Sequence, residues 1–304
     1  MLNLVVGLAV DSKKCYKTPH INLGNIVDNS NISLACYTIL CYNIFEILCL
    51  LGDVMIEGLV SVIMPTYNSG RFISESIDCI RMQTYENWEL IIVDDCSTDN
   101  TKEVVASYQG KDARIKYYCL ETNSGAAVAR TEAMKLAQGE YMAFCDSDDL
   151  WLNNKLELQL AFMKENDYAF SCTAYEQIDE EGNKLKKTIK TVKKTDYNRL
   201  LLDCPVGNST VMYNVAKMGK FEVPNIRKRN DDALWLQMLK NEKYIWGMSD
   251  VLMLYRIRKN SISANKFSVI KYHWILYRDI EHLSVIRSLF HIAYWCVIKV
   301  LKIK

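Results

Sequence analysis

Asp146-Ser147-Asp148-Asp149 stands directly after the apolar run Tyr141-Met142-Ala143-Phe144-Cys145. Three carboxylates within four residues repel one another unless a cation sits among them. A short apolar run reads as a buried strand. The acids then emerge at its carboxyl end, where open α/β sheets bind ligands. Hard divalent ions take oxygen ligands, often one or two carboxylates completed by substrate phosphates. The motif alone has two readings. It is a metal–diphosphate site, or it is a solvated acidic turn that caps the next helix, since Asp is a good N-cap.

Upstream, 59–64 reads as a strand ending at Pro65-Thr66-Tyr67-Asn68. Residues 70–83 have helical periodicity, with Phe72, Ile73, Ile77 and Ile80 on one side. A second strand, 90–93, ends at Asp94-Asp95, and a helix at 98–108 takes Ser97 or Thr98 as its cap. A third strand covers 114–118, and a helix over 125–137 is stopped by Gly139. Strands alternating with helices of this length imply a parallel, doubly wound sheet. Its rim collects Thr66 to Asn68, Asp94-Asp95 and 146–149, while Asn123-Ser124-Gly125 opens the helix after the third strand. Downstream, 153–165 and 231–239 read as helices, and 168–175, 210–213 and 251–257 as strands. The lysine-rich 182–194 reads as an exposed hairpin or loop, or as a lid.

With 37 Lys+Arg against 36 Asp+Glu, global charge predicts no nucleic-acid partner. Half of the 304 residues are hydrophobic, enough for a sizeable core. The eleven cysteines have no CxxC spacing and read as reduced apolar fillers; the four histidines do not cluster. Residues 1–58 differ from the rest, with four cysteines and no regular alternation. Three readings apply: an upstream extension with Met55 as the working start, an anchor helix over 33–51, or an ordered extra lobe. Asn43 and Glu46 interrupt the anchor; a membrane span needs ~20 apolar residues, and a central acid costs ~2.5–3.5 kcal/mol.

Three polar clusters on one rim suit a nucleotide-diphosphate ligand. Asp95 is placed to accept from a base or ribose, and Asp146 and Asp148 to hold ribose and a divalent ion. The helix opening at Gly125 offers N–H donors to an anion. Asp231, ahead of an apolar helix, is a candidate base. Each has a plainer reading: Asp95 as a turn residue, Asp231 as a helix cap, and Asn123-Ser124-Gly125 as a turn with Gly at positive φ.

Taken in order, Pro65-Thr66-Tyr67-Asn68, Ile91-Ile92-Val93-Asp94-Asp95-Cys96-Ser97-Thr98-Asp99, Asn123-Ser124-Gly125 with Ala129-Arg130, and Asp146-Ser147-Asp148-Asp149 resemble the family 2 glycosyltransferases of the GT-A fold. Arg229-Asn230-Asp231-Asp232-Ala233-Leu234-Trp235-Leu236 resembles the family's later acid-plus-Leu-Trp motif. Tyr255-Arg256-Ile257-Arg258 with Ser261-Ile262-Ser263 looks like the segment closing the domain in bacterial polysaccharide members.

The resemblance implies an α/β, Rossmann-like, mainly parallel sheet flanked by helices. A GT-A catalytic domain would cover 59–265, with a nucleotide-sugar half at 59–151 and an acceptor half at 152–265. It implies inverting transfer from a nucleotide-sugar, usually a UDP-sugar, to a saccharide or lipid-linked saccharide, as in O-antigen or capsule synthesis. Asp95 matches the base-recognising Asp, Asp146 and Asp148 the DxD pair, and Asp148 the direct ligand of Mg²⁺ or Mn²⁺. Pro65, Thr66, Tyr67, Asn68, Asn123, Gly125, Arg130 and Ser147 fall in donor-binding motifs. Asp231 matches the base; Asp232 is its competitor, and Trp235 is either an acceptor-stacking ring or a helix-core residue. Asn230 stands where Glu is common, and Thr131 where Asn is common. A nucleotidyltransferase would carry a Gly-rich, basic loop after its first strand; here Pro65 to Gly70 has only Arg71 nearby. A non-catalytic binding subunit is the other alternative.

The tail, 266–304, carries a helical pattern over 283–302. Ser284, Arg287, Ser288, His291, Lys299 and Lys302 share an arc, blurred by Trp295 and Ile298. Basic charge beside a broad apolar face suits a helix in the membrane interface; packing on the catalytic domain is the alternative. The expected location is cytoplasmic, at the inner face of a bacterial inner membrane.

Overall fold

The computed structural model describes residues 55–258 and 266–301. The readings made for 1–54 lie outside the described residues. The first half builds β1 (Ile56–Thr66), α1 (Ile73–Arg81), β2 (Trp88–Asp94), α2 (Thr101–Gln109), β3 (Ile115–Cys119), α3 (Ala126–Leu136) and β4 (Gly139–Phe144). β1 begins three residues ahead of the expected boundary at 59.

These four strands lie in the order β3-β2-β1-β4, and every pair is parallel. Strand alternation supplies both faces. Val60, Val62 and Met64 join Ile73, Ile77 and Ile80 on one side. Ile63, Ile91, Val93 and Phe144 join Ala129, Ala133 and Trp235 on the other. A sheet covered on both faces explains the near-continuous apolar runs.

The second half adds β5 (Leu150–Trp151), α4 (Lys155–Glu165), β6 (Phe170–Ile178), β7 (Lys184–Ile189) and β8 (Lys194–Thr195). It continues with α5 (Tyr197–Leu202), β9 (Met212–Asn214), α6 (Val215–Met218), α7 (Asn230–Met238) and β10 (Ile245–Arg256). The sheet runs on through β4-β9-β6-β10-β5. β9 is antiparallel to β4 and β6, whereas β6 and β10 are parallel. The lysine-rich segment is a hairpin arm: β7 pairs antiparallel with β6 and is exposed along most of its length.

Gly139 is not the helix stop expected of it. Ala137 already ends α3 in an extended conformation, and Gly139 opens β4. A Cβ there would lie 2.6 Å from the Leu59 carbonyl oxygen and 2.8 Å from the Ser61 nitrogen. Glycine is needed for the close approach of β1.

The tail forms α8 (Lys266–Ile275), a wider turn at Leu276–Ile280, and α9 (Val285–Leu301). Of the polar arc of α9, Ser288 and His291 pack inward, whereas Ser284 and Arg287 are exposed. Ser288, His291, Trp295 and Ile298 are buried, whereas Ile286, Leu289, Phe290 and Val297 are exposed. Aromatic neighbours receive the polar side: His291 lies 5.4 Å from the Tyr277 ring, and His273 lies 4.7 Å from Trp295. The Ser288 hydroxyl donates to the Ser284 carbonyl at 2.9 Å. Among the described residues no helix is long and apolar enough to cross a membrane, and the cysteines are free thiols.

Candidate active site

β1, β2 and β4 end on one edge. Thr66 pairs with Asp94, the Asp95 N–H donates to the Thr66 carbonyl at 2.9 Å, and Ile63 pairs with Phe144. The motifs at the ends of β1, β2 and β4 therefore meet on one rim. Pro65 and Thr66 are buried at the end of β1, while Tyr67 and Asn68 are exposed. Asn68 takes a left-handed conformation, φ 48°. Its N–H donates to Ser97 Oγ, and the Thr98 N–H donates back to Asn68 Oδ1, both at 2.8 Å. The two loops are thereby tied together.

Asp95 is buried and its carboxylate holds the turn before α3. Ser124 N–H donates to Oδ1 at 2.6 Å and Gly125 N–H to Oδ2 at 2.8 Å. Asn123 Nδ2 donates to the Asp95 carbonyl at 2.9 Å. Gly125, at φ 95°, makes the turn possible. The Gly125 N–H expected to face an anionic ligand is thus given to Asp95. Each Asp95 oxygen keeps a second lone pair for another donor.

The three acids after β4 diverge onto separate sets of partners. Asp146 Oδ1 accepts from Arg130 Nη2 at 3.2 Å and Asn208 Nδ2 at 2.8 Å. Asp148 Oδ2 pairs with Arg258 Nε at 2.7 Å. Asp149 accepts the Arg256 N–H at 3.0 Å and the Ser209 hydroxyl at 2.6 Å. Ser147 Oγ shares a 2.7 Å hydrogen bond with Ser69 Oγ. Arg130 at Asp146 and Arg258 at Asp148 relieve the like-charge repulsion, while Asp149 is held by a backbone N–H and a hydroxyl.

Burial pushes the Asp146 carboxyl up to about 6; Arg130 opposes this, while the charges of Asp148 and Asp231 add to it. Asp148 is raised by burial and opposed by Arg258. Among the described residues no three His, Cys, Asp or Glu side chains gather as a metal site. Mg²⁺ commonly keeps only one or two protein carboxylates and completes its shell with water and phosphates. Asp146 and Asp148 fit such an ion together with a diphosphate.

α7 brings the second group of candidates. Arg229, at φ 65°, turns the chain into the helix. Trp235 is fully buried, 5.0 Å edge-on from Phe144 at the end of β4. It is a core residue that docks α7 under the rim, which removes it as an acceptor-stacking ring. Arg130 donates through Nη1 to Asn230 Oδ1 at 2.5 Å while holding Asp146. Asp231 is partly exposed beside this bridge. Asp232 is buried in an ion pair with Arg229 Nε, and burial pushes its carboxyl up to about 6. Asp232 therefore points into the protein, away from an acceptor, and Asp231 is left as the accessible acid.

Sequence reading assigned no role to Ser209 or Asn208, and placed Arg256 and Arg258 only in the segment that closes the domain, with no part in the site. The one available signal was the Arg256–Arg258 spacing, which places two cations on the same side of an extended chain.

The profile described as "Glycosyl transferase family 2" matches residues 61–225. A Bacillus subtilis (strain 168) protein, TuaG, named as a teichuronic acid biosynthesis glycosyltransferase, is 43% identical over 246 residues, covering 81% of this chain and 96% of the relative. The Escherichia coli protein WfgD, named a UDP-Glc:alpha-D-GlcNAc-diphosphoundecaprenol beta-1,3-glucosyltransferase, is 38% identical, covering 79% of this chain and 93% of the relative. Among solved structures, S. aureus TarS 1-349 in complex with UDP-GlcNAc has a TM-score of 0.58 at 23% identity, covering 77% of this chain and 70% of that one. That likeness bears out the GT-A fold. With the profile spanning more than half of the chain and TuaG matching four-fifths of it, the chain belongs to glycosyl transferase family 2.

Proposed function

We propose that this chain is a metal-dependent, inverting glycosyltransferase that moves a sugar from a UDP-sugar to a saccharide or lipid-linked saccharide acceptor during surface-polysaccharide synthesis. The Arg130 bridge carries this reading. One buried guanidinium bonds both Asp146 at the end of β4 and Asn230 at the start of α7, so a candidate base stands beside a candidate diphosphate site. The names of TuaG and WfgD support the substrate classes. The family match favours sugar transfer over nucleotidyl transfer.

In this reading 59–151 holds the donor and 152–265 the acceptor. Pro65 to Asn68, Asp95 and the 123–125 turn line the nucleotide side. Asp231 accepts the proton of the acceptor hydroxyl, whose oxygen attacks the anomeric carbon opposite the departing diphosphate. Arg130 keeps Asp146 and α7 in register for that attack. Asp148 and Asp146 would hold Mg²⁺ or Mn²⁺, which would supply positive charge against the departing diphosphate. The exposed apolar face of α9 rests on the inner leaflet of the inner membrane, where a lipid-linked acceptor is presented.

The test is donor hydrolysis across UDP-, GDP- and dTDP-sugars, with and without Mn²⁺, on wild type and Asp148→Ala. Slow, metal-dependent release of one nucleotide, lost in the variant, is expected. No hydrolysis together with no nucleoside diphosphate binding by calorimetry overturns the reading.

A further inference from the structure

The carboxylate that a divalent ion needs most is already engaged. Asp148 Oδ2 sits 2.7 Å from Arg258 Nε, with the two side chains 16% and 31% exposed. Arg258 is held there by its neighbour. The Arg256 side chain is fully buried and donates to the Asp148 carbonyl at 2.9 Å, to the Glu180 carbonyl at 2.9 Å and to Glu75 at 2.7 Å. Two residues on, Arg258 leaves on the same side and lies 5.7 Å from the Phe72 ring centroid, beside Arg256 at 5.0 Å. Arg256 is fixed by three segments: the turn after β4, the turn after β6 and the start of α1. Among the described residues Arg258 has one ion pair and the Phe72 ring, and it is partly open to solvent.

We propose that Arg258 is a displaceable counter-cation of Asp148, so that this site takes a divalent ion tightly only when a nucleoside diphosphate arrives with it. The inference rests on the donor site proposed above. A divalent ion alone must evict a guanidinium and leave it facing two positive charges. A diphosphate changes that balance, because its oxygens accept the planar fork of an arginine. Arg258 then moves from carboxylate to phosphate while the ion takes Asp148. Linkage makes the effect reciprocal: whatever factor the diphosphate adds to ion affinity, the ion adds to diphosphate affinity.

The experiment measures Mn²⁺ binding by electron paramagnetic resonance, with and without saturating UDP, and UDP binding by calorimetry with and without Mn²⁺. It compares wild type, Arg258→Gln and Arg258→Lys, with Arg71→Gln as a control on the same surface. Wild type is expected to bind Mn²⁺ at least tenfold more tightly with UDP. In Arg258→Gln, Mn²⁺ alone is expected to bind about tenfold more tightly than in wild type, and the UDP-linked gain to shrink at least fivefold. Arg258→Lys keeps the charge without the fork and falls between. Thermal melting confirms that each variant is folded, and Arg258→Lys carries the test if Arg258→Gln is not. Unchanged Mn²⁺ affinity and unchanged coupling in the folded variants overturn the counter-cation while leaving the donor site intact. Failure of wild type to bind UDP with or without Mn²⁺ overturns the donor site itself, and Arg258's role with it.

Discussion

Asp231 and Asp232 are neighbours with opposite surroundings. Asp232 is spent on Arg229 inside the protein, while Asp231 stays at the rim beside the Asp146 bridge. Asp231→Asn is therefore expected to lower kcat about 10²–10⁴-fold, the usual worth of a positioned base. UDP affinity by calorimetry should stay within a few-fold of wild type, and an equal loss of binding would argue for a structural role. Lys155 makes a separate prediction. It is fully buried, its ammonium donates to Gln159 Oε1 at 2.5 Å, and burial pushes it down to about 7. The unfolded value is about 10.4, so above pH 7 the unfolded chain holds more protons and stability rises with pH. The thiols of Cys79 and Cys172, pushed up by burial to about 12, work the other way once unfolded thiols ionise near 8.5. Between pH 7 and 8.5 the lysine should add up to about 2 kcal/mol to the urea unfolding free energy. Lys155→Met should flatten that rise. The residues on the rim were legible because each motif follows a strand. The partner of each acid was not, because Arg130, Ser209 and Arg258 reach it across 16, 60 and 110 residues of chain.

At the level of elements, period and punctuation read the first half well. The four parallel strands and their helices lie within a few residues of their expected places. The second half was read as separate pieces, because β9, β6 and β10 find their neighbours only through long-range pairing. A three-residue strand such as Met212–Asn214 carries no pattern that names β4 and β6 as its partners. Gly139 shows the same limit. A glycine after a helical stretch resembles a helix stop, yet its use is to let β4 begin against β1, where Ile56 pairs with it. Gly139→Ala forces a methyl against the Leu59 carbonyl and the Ser61 backbone. Overpacking of this kind costs about 1–3 kcal/mol, and here the flexible far end of a side chain is not what must yield. A fall in urea midpoint with an unchanged m-value is the expected result. No fall would mean that β1 shifts freely, contrary to its pairing on both sides.

On the scale of the whole molecule, the tail presents an apolar surface. α9 packs His291 against Tyr277 and Trp295 against His273, and leaves Ile286, Leu289, Phe290 and Val297 outside. The apolar face is thus the outward one, as an interfacial helix requires, and the exposed Arg287 beside it favours anionic lipid by about 1 kcal/mol. Removing the whole helix is a poor test, because it would also uncover the buried Leu276 and Tyr277 and loosen the fold. Ile286→Asp with Phe290→Asp isolates the face, since the two residues are 81% and 60% exposed and hold little of the core. Burying such side chains contributes about 1.5–3 kcal/mol each. Partition of the double variant onto anionic vesicles should therefore drop at least about tenfold, with melting temperature and donor hydrolysis unchanged. If the variant partitions like wild type, the bilayer does not cover this face. If it changes only the sedimentation of the protein, a second copy of the chain does. Either result would detach the membrane from the function while leaving the rim, its arginines and Asp231 as they are.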